Sequence, residues 1–223
     1  GSNIELFASS QILTDCKSTY AKNSSVLFNA IIRPWFKFPV FGVVWYQGEQ
    51  NAASMYQIDI YECILLGMIE EWRLKWYEET YASTNPSLPF GIVQIANHFS
   101  EKFELEGSPI IRWRQTASYG YLPNQKMRNV FMASAVDLVE DFESNVHPRH
   151  KFDVGKRLTL GALNLAYHNS FVEFFPPRVD SIECCEIYRK TRTATIRFES
   201  IFEPVEIEVK NKKGLEVCCN CSQ

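Results

Sequence analysis

The sequence predicts an α/β fold: a parallel sheet wrapped by helices, followed by a small antiparallel β appendage. Three observations support this. Helical and strand periodicities alternate as far as Tyr167, two of the strands are apolar without interruption, and the texture changes after Phe174-Phe175-Pro176-Pro177. The predicted boundary assigns residues 1–174 to the α/β domain and 175–223 to the appendage.

The first element is a helix over 25–33, where Val26, Leu27, Ala30 and Ile31 recur at helical spacing until Pro34 stops them. Residues 40–46 then form a buried strand. From Tyr56 to Trp76, apolar Ile60, Cys63, Ile64, Met68, Trp72 and Trp76 alternate with Glu70, Glu71, Arg73 and Lys75, which predicts a long amphipathic helix with the charged residues on its outer face. A Ser83-Thr84-Asn85-Pro86-Ser87 loop leads into a second strand, Phe90 to Ile95. A helix over 112–119, a strand over 130–136 ending at Asp137 and a helix over 153–167 follow. Beyond 182 the runs Ala194-Thr195-Ile196-Arg197-Phe198 and Val205-Glu206-Ile207-Glu208-Val209 alternate apolar with polar, the pattern of half-buried antiparallel strands.

Composition narrows the function classes. With 223 residues, 46% of them hydrophobic, the chain can bury a sizeable core. A net charge of −3 with scattered Lys and Arg offers no basic surface, so a nucleic-acid partner is not expected. The longest apolar stretch, Phe38 to Tyr46, falls short of the roughly 20 residues a membrane span needs, and no membrane partner is expected. Five of the seven cysteines follow residue 183, and the spacings Cys184-Cys185 and Cys218-Cys219-Asn220-Cys221 are unlike metal sites, so neither metal nor cofactor is expected. Together with the glycosylation acceptor patterns at Asn23 and Asn220, they point to a secreted or lysosomal protein.

The chemistry concentrates at two places. Val43-Val44-Trp45 runs into Tyr46-Gln47-Gly48-Glu49-Gln50-Asn51, where Gly48 allows a sharp turn that presents the Glu49 carboxylate beyond a strand end. The same spacing also suits a carboxylate capping the next helix. His147-Pro148-Arg149 stands before the 153–167 helix, and its imidazole is either a base or an ordinary packing residue. Gln47, Asn51 and the run Arg112-Trp113-Arg114-Gln115 would suit donors to a polyhydroxylated ligand. Trp45, Trp72, Trp76 and Trp113 read as core.

Val26-Leu27-Phe28-Asn29-Ala30, Gly42 to Glu49, Ile111 to Ala117 and Val146-His147-Pro148-Arg149-His150-Lys151 together resemble the animal sialate O-acetylesterases, a branch of the SGNH-type carbohydrate esterases. The resemblance covers nearly the whole chain. It implies a flavodoxin-like three-layer sheet without its N-terminal strands, and removal of O-acetyl groups from sialic acids by a serine that a histidine activates. His147 matches the base. The positions just before it, Ser144 and Asn145, carry no charge, so the orienting acid comes from elsewhere: Glu49 first, with Asp137 and Asp141 as runners-up. Gln47, Gly48, Asn51 and Gly1 become oxyanion or substrate-orienting positions, and Arg112 or Arg149 a partner for the sugar carboxylate.

The Gly-Gln-Ser-Asn motif that holds the family's nucleophile is absent, and Gly1-Ser2-Asn3 lies too close to Gly48 to replace it. The expectation is therefore a C-terminal part of an esterase, supplying base and acid, inactive alone and completed by an N-terminal segment or subunit. Two other readings are a non-catalytic sialoglycan-binding protein and an esterase for other acetylated carbohydrates.

Overall fold

The computed structural model describes residues 28–96, 107–138, 149–172, 174, 179–188 and 191–199. The chain divides into two compact units, Gly1–Glu173 and Phe174–Gln223.

The first unit is built on three parallel strands in the order β1 (Val43–Trp45), β2 (Phe90–Gln94), β3 (Val130–Ser134). Val43 pairs with Phe90 and Phe90 with Val130, so the strands begin in register and end at one common edge. The helices are α1 (Met55–Glu79), α2 (Gly107–Arg114) and α3 (Lys151–Gly161). Alternation along the strands separates two faces. Phe90, Ile92 and Val130 meet Ile58, Tyr61, Leu65, Ile69, Trp72 and Ile111 from α1 and α2 on one side. Val93 and Ala135 meet Val154 on the other, with Tyr46, Leu138 and Leu158 packed around them. Helix, sheet and helix thus form three layers, as expected for this α/β class.

α3 runs back along the sheet. Its first residue, Lys151, touches Tyr46 just beyond the end of β1, and after its last turn Tyr167 stacks on Phe41 just before β1 begins, with ring centroids 4.7 Å apart. At the opposite edge of the sheet from the Gln47–Glu49 turn, Arg73 reaches from α1 to the carbonyls of Leu88 (2.9 Å) and Arg128 (2.9 Å), fixing the chain as it enters β2 and β3.

Several elements differ from the sequence expectation. The helix expected over 112–119 lies at 107–114, because Ala117 and Ser118 take positive φ values of 52° and 65° that no helix continues. Phe28–Ile32 and Arg33–Lys37 form a π turn and a 3-10 turn, and Pro34 sits inside the second, where its missing N–H costs nothing. The last helix stops at Gly161 and is followed by a π turn over Ala162–Ala166. Glu71, placed by periodicity on the charged face of α1, is 6% exposed and its Oε2 has no partner among the described residues. Trp113 is 51% exposed, not core, because it faces outward near the end of α2.

In the second unit β4 (Val179–Tyr188) and β5 (Thr191–Phe198) pair antiparallel, with Arg197 on Glu183 at 3.1 Å. The run at 205–209 lies outside the described residues.

Two predictions follow from this packing. A Cβ on Gly91 would lie 2.7 Å from two ring atoms of Phe131 and 3.2 Å from Leu158. Gly91→Ala should therefore lower the urea midpoint by an amount equivalent to about 1–3 kcal/mol. Burial holds the Glu71 carboxyl above its usual range, with Lys75 opposing the shift and Glu78 adding to it. A carboxyl whose folded pKa is raised opposes folding above that pKa and ceases to do so once protonated in both states. Glu71→Gln should thus stabilise the chain at pH 7 to 8, and the gain should vanish as the pH falls below the ordinary glutamate value, a trend read from melting curves across pH.

Candidate active site at the carboxyl ends of the strands

The three strands are parallel and begin in register, so residues past their carboxyl ends share one rim, where α/β enzymes place their chemistry. Gly48 stands at the centre. Its φ of 139° is closed to other residues, and a Cβ there would meet Ile111 at 3.1 Å, the Tyr61 hydroxyl at 3.2 Å and Ile95 at 3.3 Å.

The turn is held from beneath by two buried side chains. The Tyr61 hydroxyl donates to the Gln47 carbonyl at 3.0 Å, and Gln115 Nε2 donates to the same oxygen at 3.2 Å. Gln115, wholly buried, also donates to the Val93 carbonyl (3.0 Å) and accepts from the Ile95 N–H (3.2 Å), so one amide ties the ends of β1 and β2 together. With the Gln47 carbonyl drawn inward, the trans peptide turns the Gly48 N–H the opposite way. This corrects the reading of Arg114 and Gln115 as ligand donors: Gln115 is committed to backbone, and Arg114 to Glu62 at 3.3 Å. A glutamine following the helix was the signal, but nothing local marks it as a clamp.

Glu49 is half-buried after this turn, and neither the Asn51–Ala53 3-10 turn nor α1 takes a side-chain cap, which leaves the capping alternative without support. The charge of Glu49 reaches both neighbouring phenols. Burial pushes Tyr61 up to about 12, with Gln115 opposing and Glu49 adding to the rise. Burial and then Glu49 hold Tyr46 above its ordinary value. Gln47 Nε2 donates to Asn51 Oδ1, so these two expected donors lie side by side at the rim.

α3 is fixed to the strand ends at two points, one at its start and one in its middle. Lys151 Nζ lies 4.3 Å from the centroid of the Tyr46 ring and 3.2 Å from its hydroxyl. Arg157 makes a two-pronged contact with Asp137, at 2.6 and 2.7 Å. Asp137 therefore ties the end of β3 to α3 through both its oxygens. Arg149 is exposed two residues before α3, and Arg112 is half-buried on α2. His147, Asp141, Gly1, Asn23 and Asn220 lie outside the described residues. Among the described residues no group of His, Cys, Asp or Glu could hold a metal ion, and no helix is long and apolar enough to cross a membrane.

The three-layer α/β fold has a solved counterpart among the carbohydrate acetylesterases. A carbohydrate acetylesterase from Xanthomonas citri, seen in a crystal structure, matches with a TM-score of 0.56 and 28% identity over 71% of this chain and 33% of that one. Along its whole length the chain is a homologue of the sialate O-acetylesterases. It is 36% identical to those of Homo sapiens and Pongo abelii over 235 residues, covering 100% of this chain and 43% of each of those proteins. It is 34% identical to that of Mus musculus over 214 residues. The chain thus spans about two fifths of the length of the curated relatives it matches. No family model matches it.

Two variants test the clamp. Gly48→Ala forces a Cβ into an occupied space at a disfavoured φ and should cost about 2–4 kcal/mol. Gln115→Leu keeps the volume but strands an N–H and removes a donor from two carbonyls, and should cost about 2–4 kcal/mol. Chemical denaturation measures both.

Proposed function

We propose that this chain is the part of a carbohydrate O-acetylesterase that supplies the base and acid of a Ser-His-acid mechanism, with acetylated sialic acid as the substrate. In this reading His147 takes the proton of a serine hydroxyl, the serine attacks the acetyl carbonyl, and Glu49 orients the imidazole and stabilises its charged form. Gln47, Gly48 and Asn51 face the developing oxyanion or the sugar. Arg112 or Arg149 pairs with the substrate carboxylate.

The observation that carries the reading is the approach of α3 to the end of β1. Lys151 sits on Tyr46, three residues before Glu49, and His147 is four residues before Lys151. Four residues span at most about 14 Å, so the chain is short enough to let the base reach the acid's rim, which supports this reading. Arg157 already pairs its charge with the Asp137 carboxylate, which supports Glu49 over Asp137 as the orienting acid.

The serine comes from a further segment of the esterase in this proposal. Among the described residues β1 is paired on one side only, and Val44, Trp35, Phe38 and Phe41 are exposed around it, which supports a place for that segment. Cys63 on α1 is disulfide-bonded, which supports a secreted or lysosomal setting.

The isolated chain should not hydrolyse p-nitrophenyl acetate, and a serine-reactive phosphonate should leave Ser2 unlabelled; robust turnover with Ser2 labelled would overturn the proposal. With the serine-bearing segment supplied, Glu49→Gln should lower kcat by about 10²–10⁴-fold, the range for losing an orienting carboxylate. An unchanged kcat would remove Glu49 from the mechanism.

A further inference from the structure

Lys151 occupies the first position of α3, where the positive end of the helix dipole disfavours a cation. The first turn contains one carboxylate, Asp153, and Arg149 stands just ahead of it. What holds the ammonium there is Tyr46, through the face of its ring and through its hydroxyl. The ring is itself a fixed platform, packed against the cluster of Val93, Ala135 and Val154. Its backbone continues directly into the clamped Gln47 and the turn at Gly48.

We propose that Lys151 is a positioning residue for the esterase reaction, acting through Tyr46 to clip the start of α3, and with it the stretch of sequence that carries His147, onto the end of β1. This rests on the esterase reading given above. The contact joins the two stretches that carry the acid and the base without itself touching the reacting atoms. Its partners are rigid on the Tyr46 side and helical on the other, so removing it frees the approach of one to the other and leaves the sheet intact. The aligned base and acid are then populated for a smaller fraction of the time, and the loss falls on turnover.

The test uses the chain together with the segment that supplies the serine, with both p-nitrophenyl acetate and an O-acetylated sialic acid as substrates. Lys151→Met should lower kcat for both by about tenfold, with KM little changed, which is the effect of a modest loss of orientation. Lys151→Arg and Tyr46→Phe, which keep the cation and the ring, should stay within about threefold of the parent. Lys151→Met with Tyr46→Leu should lose no more than Tyr46→Leu alone, because the two residues act as a unit. Independently of catalysis, Lys151→Met in the isolated chain should speed amide hydrogen exchange at Arg149–Phe152 while leaving β2 and β3 protected.

An unchanged kcat for Lys151→Met would overturn the proposal. So would a loss confined to KM for the sialic acid, which would make Lys151 a substrate contact, or no rescue by Lys151→Arg. If the parent protein shows no His147-dependent turnover, the esterase reading fails. The exchange measurement then still decides whether the clip exists.

Discussion

One carbonyl oxygen, that of Gln47, is the point on which the rim depends. It accepts from both Tyr61 and Gln115, two side chains buried in the layer between the sheet and its helices. Removing a buried partner leaves polar groups without water or protein to bond, which is far more costly than the bond's own net contribution. The turn is therefore held by the buried core. Gly48 can take its unusual conformation because the residues on either side of its space, Ile95 and Ile111, are wholly buried and close around it.

The second constraint is charge placed across the sheet. α3 is joined to the strand ends by Lys151 on Tyr46 and by Arg157 on Asp137, while Val154 packs between them. The two polar contacts sit partly in solvent, where each is worth little in stability, and the apolar contact supplies most of the adhesion. Their value is directional. They decide which end of α3 meets which strand end, and so bring the start of α3 to the same rim as Glu49.

The elements were largely legible where the pattern was long or strongly apolar. β2 reads from Phe90-Gly91-Ile92-Val93 because both its faces are buried, and α1 because apolar residues recur through 25 residues. The misplaced elements were those set by backbone conformation. Ala117 and Ser118 end α2 with positive φ, a state their side chains do not advertise. Glu71 and Trp113 went against their type because burial depends on which neighbour each helix face meets, and periodicity gives a face without naming what lies opposite.

By itself the sequence determined the α/β class, the glycine turn after β1 and the carboxylate that follows it, because these rest on local periodicity and on the conformations one residue type can take. Only the tertiary structure decided that Gln115 is a clamp and not a ligand contact, that Asp137 is held by Arg157, and that Lys151 meets Tyr46 across 105 positions of chain. Each of those is a pairing between side chains distant in sequence. No periodicity encodes such a pairing, since it exists only after three strands have aligned their ends and two layers of helix have closed over them.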